Sequence, residues 1–454
     1  MIIPHTLLHL NFKYIYYKNI RYDKKTLQLA IDHLTKYLKT HITSTSPFII
    51  FTAYNHIKTL ISYYAILKTG KIAVVLDPET KSMELTEIIE DVDPAAILFL
   101  NNNTLKLNYD EEIIFRKENS AFIIHSDLMD VCTIAYTNAE DGYSKGAMLT
   151  WKNIFTEVNT IIQANHLNSE SVMYSLLPFS HLYGLVLGVL VSTLSGGSAV
   201  ITELNMLKIQ NTLNEIKQYH VTHFYSVPPI YYLISKYEGI EHIFKNVKMC
   251  ISGGIKLKPF IFDLFLKNST HKINEGYGLT ETSPACTFNY IEEAPNIESV
   301  GKPLNNSDIR IFDENMNECA LGTIGEICIK GDLVFKGYFN KEKATEKAFN
   351  NGWLHTGDFG KKDKEGFIYF CGLKKSMINI AGVKVYPKKL ERMMKVNNNV
   401  LDVQVFSEDS LLQGQIVGSI IKLKKNSLND QNDFKKWCSE NINNALLPRI
   451  WVFE

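Results

Sequence analysis

The chain has 454 residues, of which 45% are hydrophobic and 21% are charged, values typical of a folded globular protein rather than a disordered or membrane-embedded one. Lys and Arg together number 48, as do Asp and Glu, so the formal net charge is zero and no basic stripe favours a nucleic acid as partner. At this length we expect several subdomains rather than one core.

The first third of the chain alternates between predicted helices and strands. The N-terminus lacks the basic and apolar segments of a signal peptide, so we expect a cytoplasmic protein. A polar helix precedes the first apolar run, and helices then separate short apolar stretches that are typical of buried parallel strands. The predicted helices cover 26–39, 58–68 and 84–91, and the predicted strands cover 47–53, 71–76 and 95–99.

The same alternation returns after residue 133. Residues 182–201 carry no charge and approach the length of a membrane-spanning helix, but they contain four glycines. We therefore predict a buried helix that runs into a strand, and no membrane span. The further strands predicted in this part cover 172–176, 200–202, 221–227 and 249–252.

From residue 309 the pattern changes to short strands separated by glycine turns, at 309–313, 324–330 and 367–372. A helix at 387–394 and strands at 400–406, 415–423 and 449–453 follow. The predicted fold class is α/β: a large N-terminal domain of layered α/β subdomains over 1–374, including a small β-rich subdomain at about 305–374. A small α+β C-terminal domain, which we expect to be mobile and shortened, covers 375–454.

Residues 277–282, Tyr-Gly-Leu-Thr-Glu-Thr, combine an aromatic ring, a hydroxyl and a carboxylate. The ring of Tyr277 can stack on a base, and Gly278 lets the backbone approach a ligand closely. Thr280 can donate to a phosphate oxygen, and Glu281 can hold Mg²⁺ beside substrate phosphates. The segment indicates a nucleotide site.

Four further segments accompany this one in a fixed order along the chain. They are 135–146 (AYTNAEDGYSKG), 177–184 (LPFSHLYG), 252–257 (SGGIKL) and 352–360 (GWLHTGDFG), the last followed by 370–387 (FCGLKKSMINIAGVKVYP). With these motifs nearly the whole chain resembles the adenylate-forming superfamily of acyl-CoA synthetases, aryl-CoA ligases, adenylation domains and luciferases. The resemblance implies activation of a carboxylic acid with ATP and Mg²⁺ to an acyl-adenylate and pyrophosphate, followed by transfer to a thiol.

The resemblance also implies roles for individual residues. Tyr277 would stack on adenine, Thr280 would contact the α-phosphate or the acyl carboxylate, and Glu281 would bind magnesium. Asp358 would accept the ribose hydroxyls, although an Asp at this position is by itself equally typical of a turn. These residue types suit in-line attack on phosphorus, which requires positioning and neutralisation of charge.

Two segments are expected to border the acid. Gly253 and Gly254 would lie against the adenine and acyl pocket, although paired glycines alone indicate only a turn. His181 would help to gate the acyl pocket, whereas a lone His beside an apolar run is more often a packed core residue. Amino-acid-activating members carry an Asp after the Phe of this motif, but here Phe179 is followed by Ser180. We therefore expect a fatty or aryl acid rather than a free amino acid.

The phosphate loop departs from the family pattern. Thr137, Gly142 and Lys145 keep the expected residue types for holding phosphates, but Glu140 and Asp141 replace small hydroxyl residues. A carboxylate ~4 Å from a phosphate charge costs about 4 kcal/mol at an effective dielectric of ~20. Either the loop turns outward as a solvated acidic turn, or its carboxylates bind magnesium that bridges to phosphate.

The C-terminal part departs twice more. Leu373 stands where the family has an Arg that reaches the ribose, and a leucine cannot donate a hydrogen bond. Lys375 fits the hinge about which the family's small domain swings between its two half-reactions. The family's Gly-Lys, whose lysine bridges carboxylate and phosphate, is missing before the last residue, Glu454.

We therefore expect an AMP-forming acid–thiol ligase, weakened in activity, that uses ATP, Mg²⁺ and a thiol of CoA or of phosphopantetheine on an acyl carrier protein. The alternative is a non-catalytic homologue that serves as a scaffold or ligand-binding subunit and retains an AMP pocket. A third option is the second half-reaction alone, on an adenylate supplied from elsewhere.

Overall fold

The computed structural model of the chain describes residues 8–100, 113–116, 128–137, 144–203, 209–289, 296–373, 378–380, 383–410, 414–425 and 428–454. No helix within these ranges combines the length and the apolar character that crossing a bilayer requires. The predicted boundary between residues 374 and 375 lies outside these ranges and stays a prediction.

The described strands form four sheets, and the largest contains nine strands. Its six central strands are parallel, since helices return the chain to the same edge between successive strands from Val172 onward. The carboxyl ends of all six strands therefore lie at one edge of the sheet, and open α/β sheets bind their ligands at that edge. In spatial order the strands are Lys302–Pro303, Thr287–Phe288, Ile273–Tyr277, Met249–Ser252, His223–Ser226, Val172–Ser175, Ser198–Ile201, Tyr14–Tyr17 and Ile20–Tyr22.

The second sheet has seven strands, and its buried strands are short apolar runs. Every residue of two neighbouring strands, Phe48–Thr52 and Ile72–Leu76, is buried, as expected of parallel strands covered on both faces. The prediction of buried parallel strands in the first third of the chain is confirmed. In order the strands are Gly337–Tyr338, Lys145–Thr150, Val131–Thr137, Ile72–Leu76, Phe48–Thr52, Ala96–Leu98 and Ile113–Phe115.

Two five-stranded sheets follow. The first is antiparallel throughout and contains the β-rich part predicted near residue 309. Its strands are Ser307–Phe312, Gly325–Gly331, Phe349–Asn350, Trp353–Lys362 and Ile368–Leu373. The C-terminal sheet has one parallel pair, between its last two strands in the chain. Its strands are Ile378–Ile380, Val383–Val385, Val400–Ser410, Gly414–Leu423 and Ile450–Phe453.

Helices cover the sheets and connect the parallel strands. The uncharged 182–201 segment is a buried helix followed by a strand, as predicted, but its central turn Leu185–Val191 is π-helical. The α-helices are Lys24–His41, Ile57–Thr69, Ser82–Val92, Trp151–Ala164, Leu182–Gly184, Ser192–Leu194, Ile209–Gln218, Pro228–Ile234, Ile240–Ile243, Pro259–Ser269, Glu342–Ala348, Pro387–Lys395 and Leu428–Asn441. Short 3₁₀ turns cover Thr280–Thr282 and Asn444–Leu446.

Candidate functional site

The 277–282 segment lies at the carboxyl edge of the nine-stranded sheet. Tyr277 is the last residue of its strand, and a 3₁₀ turn begins at Thr280. The side chain of Thr282 fixes this turn, because its Oγ1 accepts from the Leu279 amide at 2.8 Å and donates to the Leu279 carbonyl at 3.0 Å. The backbone of Thr280 and Glu281 is thereby held at the sheet edge, and both side chains are half-buried.

Gly278 is required for packing within the protein. A Cβ at this position would lie 2.1 Å from the carbonyl oxygen of Pro284 and 2.6 Å from the Cα of Ala285. We expected the glycine to let the backbone approach a ligand, but the close approach is to the chain's own returning segment. Any side chain here would displace that backbone.

Tyr277 and Asp358, which the sequence motifs place at one site, form a direct hydrogen bond. The Tyr277 hydroxyl donates to Oδ2 of Asp358 at 2.6 Å, and Asp358 is only 4% exposed. Burial, followed by the Asp358 carboxylate, raises the pKa of Tyr277 well above its usual range, so the phenol is a neutral donor. Leu373 is the cross-strand neighbour of Asp358, which places this departure from the family pattern at the site itself.

Glu281 is held by a residue that the motifs did not indicate. The Tyr338 hydroxyl donates to Oε1 of Glu281 at 2.7 Å, and the Lys145 ammonium lies 5.7 Å from the centre of the Tyr338 ring. Lys145 in turn pairs with Thr137 across two antiparallel strands. The structure therefore connects Lys145 and Glu281 through Tyr338, and Thr137 lies opposite Lys145 on the neighbouring strand.

The residues expected to border the acid lie along the same edge. Gly253 follows the Met249–Ser252 strand, and a Cβ on it would lie 3.2 Å from the ring of Tyr183. Gly254 has a left-handed φ of 84°, and its carbonyl accepts from the side-chain amide Nδ2 of Asn379 at 3.2 Å. A strand of the C-terminal sheet thus reaches the paired glycines.

His181 immediately precedes the Leu182–Gly184 helix. Its side chain is accessible to water, yet desolvation by the surrounding protein lowers the pKa of the imidazole more than Asp77 raises it. The neighbouring Ser180 hydroxyl donates to Oδ2 of Asp77 at 2.9 Å. The segment that carries His181 is therefore tied to the loop after the Ile72–Leu76 strand.

Some of the predicted site lies outside the described residues. This applies to Gly142 and to the acidic pair Glu140 and Asp141 in the phosphate loop, and to the hinge residue Lys375. Their roles stay predictions.

The donor atoms at Glu281 suit a magnesium ion. Mg²⁺ prefers oxygen ligands and is commonly bound by one or two carboxylates together with substrate phosphates. Tyr338 occupies Oε1 of Glu281, which leaves Oε2 to coordinate a metal. The Thr280 hydroxyl makes no hydrogen bond within the described part of the chain, so it can donate to a ligand oxygen.

A second group of potential metal ligands has a structural explanation. Glu326, Cys328 and His355 lie close together in the antiparallel five-stranded sheet. However, Oε2 of Glu326 lies 3.0 Å from Nδ1 of His355, and Oε1 accepts from the Gly357 amide at 3.0 Å. These bonds hold the backbone that precedes Asp358, and they account for the cluster.

Residues 12–339 match the profile of the family described as AMP-binding enzyme. A long-chain-fatty-acid–CoA ligase of Bacillus subtilis (strain 168) is 30% identical over 328 residues, which cover 71% of this chain and 58% of the relative. The putative acyl-CoA synthetase YngI of the same strain is 27% identical over 371 residues, which cover 79% of this chain and 67% of the relative.

Solved structures share the fold at lower identity. A double mutant of the o-succinylbenzoate CoA synthetase MenE from Bacillus subtilis, bound to the product analogue OSB-NCoA, matches with a TM-score of 0.83 at 21% identity, covering 100% of this chain and 94% of that one. The amide bond synthetase McbA from Marinactinospora thermotolerans matches with a TM-score of 0.86 at 16% identity, covering 100% and 96%. The predicted α/β fold with a large N-terminal and a small C-terminal domain is confirmed.

Proposed function

Because the chain belongs to the AMP-binding enzyme family, we propose that it is an ATP-dependent acid–thiol ligase. The observation that carries the proposal is that the 277–282 segment, at the carboxyl edge of the nine-stranded sheet, bonds Asp358 through Tyr277 and Tyr338 through Glu281. The names of the curated relatives, which are CoA ligases, support CoA as the thiol. A carrier-protein thiol remains the alternative acceptor, and the cytoplasmic location remains a prediction.

The first half-reaction joins the acid to the α-phosphorus of ATP. A carboxylate oxygen attacks phosphorus in line, the bond to the bridging oxygen breaks, and pyrophosphate leaves. Magnesium supplies neutralisation of the phosphate charge when it is bound. We propose that Glu281 holds the metal, that Thr280 donates to the α-phosphate, and that Lys145 faces the outer phosphates.

The nucleoside would lie beside the bonded pair of Tyr277 and Asp358. The phenol ring offers a face for adenine, and the Asp358 carboxylate can accept from ribose hydroxyls. Since the Tyr277 hydroxyl already occupies Oδ2 of Asp358, that bond also fixes the ring and the carboxylate relative to each other before the nucleotide arrives. In the second half-reaction a thiol loses its proton and attacks the acyl carbonyl, and AMP leaves.

Exchange of labelled pyrophosphate into ATP tests this proposal. We expect exchange that depends on an added fatty or aryl acid, and a loss of roughly 10²–10³-fold in Glu281→Ala, since that side chain acts on charge developed in the reaction. Glu314→Ala, at an exposed turn of the antiparallel sheet, is the matched control and should exchange as the wild type does.

Two results would contradict the proposal. Exchange that survives in Glu281→Ala would arise elsewhere than at this site, and absence of exchange with every acid would count against a ligase. A non-catalytic homologue predicts AMP binding as tight as that of Mg-ATP by calorimetry, and the names of the relatives lend that alternative no support.

A further inference from the structure

A small cavity lies at the carboxyl edge of the nine-stranded sheet. It is bounded by Tyr225 on one parallel strand, by Leu177 after another, and by Leu187 and Gly188 of the π-helical turn. Its volume is about 10 Å³, which is room for about one water molecule.

Two phenolic hydroxyl groups near this cavity lack hydrogen-bond partners within the described ranges. The phenolic oxygens of Tyr183 and Tyr225 are buried, and neither has a partner among the described residues. Ser226 and Ser252 also lack partners among the described residues, but they point to the opposite face of the sheet, because successive side chains of a strand alternate between its two faces. A buried hydroxyl that is left unsatisfied carries a desolvation penalty, so two such phenols are uncommon in a region that serves packing alone.

The two tyrosines belong to different elements. Tyr183 follows the helix start at Leu182, whereas Tyr225 belongs to the His223–Ser226 strand. Burial raises the pKa of Tyr225 and the Tyr183 phenol raises it further, so the two groups interact and both remain neutral donors.

The cavity adjoins the proposed nucleotide site. The Tyr183 ring lies against Gly253, and Gly253 follows Ser252 at the end of its strand. Ser252 pairs with Glu275 on the strand that ends at Tyr277. An acid whose carboxylate lies near Thr280 can therefore direct its other end past the paired glycines toward the tyrosines.

The surrounding elements leave little space for a long acyl chain. Every residue of the Leu185–Val191 turn is buried, and a Cβ on Gly188 would lie 2.5 Å from the Phe179 ring. Pockets for drug-sized ligands measure roughly 300–1,000 Å³, so even a compact acid must displace side chains, and a long alkyl chain must displace far more.

On the basis of the proposed function, we infer that this cavity is the distal end of the acid subsite and that Tyr183 and Tyr225 select a compact carboxylic acid with a hydroxyl or carbonyl group at its far end. A site built to bond such a group rejects the methyl isostere, because the buried hydroxyls would stay unpaired. A long unsubstituted fatty acid would have to displace far more of the packed side chains than a compact acid, so we expect it not to bind.

Calorimetric binding of matched acids to the full chain tests this inference. The probes are 4-hydroxybenzoate against 4-methylbenzoate, 6-hydroxyhexanoate against heptanoate, and palmitate. In the wild type we expect the hydroxylated member of each pair to bind at least 10-fold more tightly, and palmitate not to bind. In Tyr183→Phe and Tyr225→Phe the preference should fall below 3-fold, with the methyl member unchanged or tighter.

Tyr237→Phe is the matched control, since it removes one phenolic oxygen from an exposed residue and should keep the full preference. Equal binding within each pair, tight binding of palmitate, or no binding of any probe would overturn the inference, and would mean that water alone satisfies the hydroxyls. A preference that persists in both variants would also overturn it. Because the measurement is binding, absence of pyrophosphate exchange beside an intact preference would count against the proposed ligase activity alone.

Discussion

At the scale of single residues, the buried carboxyl group of Glu157 has a desolvation cost that other interactions of the fold must offset. It lies on the buried face of the Trp151–Ala164 helix, where Oε1 accepts from the Ala285 amide at 3.0 Å and Oε2 has no partner in the described ranges. Burial raises the pKa of this carboxyl well above its usual range. The protonated side chain thus bonds the backbone at Ala285, in the segment that packs against Gly278.

The raised pKa of Glu157 predicts a pH dependence of stability. The unfolded carboxyl loses its proton near pH 4.5 and the folded one keeps it, so protonation favours the folded state. The free energy of unfolding of the wild type should therefore fall as pH rises above 4.5, relative to that of Glu157→Gln, which keeps the acceptor oxygen and cannot ionise. Denaturant unfolding at a series of pH values measures this difference.

Glu170→Gln is the control for this experiment, because Glu170 is exposed and its substitution should leave the pH profile unchanged. Parallel profiles for wild type and Glu157→Gln would show that the buried carboxyl does not titrate differently in the two states.

Residue roles were partly predictable from sequence. Tyr277 and Asp358 belong to recognisable motifs, and the structure joins them directly. Tyr338 carries no local signal of its own, since a Gly-Tyr pair is common, and only its bond to Glu281 reveals its place. Tyr225 carries no local signal either, since it lies in a buried strand without a motif.

At the scale of elements, the strand that carries Lys145 leads into a helix with a complete capping box. Thr150 Oγ1 accepts from the Asn153 amide at 3.1 Å, and the Asn153 side chain accepts from the Thr150 amide at 2.8 Å. The Asn153 side chain also donates to the carbonyls of Asp332 and Val334, both at 2.8 Å. One helix start therefore anchors the segment that leads to Tyr338.

Thr150→Ala should lower the free energy of unfolding by about 1–2 kcal/mol, because an amide at the helix start loses its acceptor in a buried position. Thr150→Ser retains the hydroxyl and should recover most of that loss. Chemical denaturation of the three proteins provides the comparison, and equal stability of the Ala and Ser variants would show that the cap contributes nothing.

Element boundaries differ from the predicted ones by one to two residues where apolar runs are short. The predicted strand at 200–202 is Ser198–Ile201, because it begins where the backbone pairs with Val172–Ser175 rather than where the side chains become apolar. The sequence of this uniformly apolar segment contains no feature that predicts a π-helical turn.

At the scale of the whole molecule, a buried ion pair joins the C-terminal helix Pro387–Lys395 to the Ser82–Val92 helix. The Lys389 ammonium lies 2.7 Å from Oε1 of Glu84 and 2.8 Å from the Ser144 hydroxyl, and Lys389 is 3% exposed. Although burial raises the pKa of Glu84, Lys389 lowers it below the usual range. Since Ser144 immediately precedes Lys145, this pair docks the C-terminal part beside the phosphate-loop strand.

Lys389→Ala should destabilise the docked arrangement by about 3–5 kcal/mol, because it removes the cation from beside a buried carboxylate and leaves Glu84 bonded to the neutral Ser144 hydroxyl. Hydrogen exchange over 387–395 should become faster, and the double variant Lys389→Met/Glu84→Met should recover much of the loss. Lys388→Ala is the matched control, since Lys388 is 79% exposed and its ion pair is solvated. Unchanged exchange in Lys389→Ala would show that other contacts hold the helix.

What the sequence alone determined about this protein is what contiguous segments encode: the alternation of buried strands and helices, the β-rich region after residue 309, and motifs that indicate an adenylate-forming fold. The first two follow from local hydrophobic periodicity and residue type, and the last is what the resemblance of the motifs to that superfamily implies. Only the tertiary structure decided which side chains meet, since Tyr338 and Glu281 are 57 residues apart and Lys389 and Glu84 are 305 apart. Such pairs, and the unpartnered hydroxyls beside Gly253, depend on how distant segments pack, which no local pattern records.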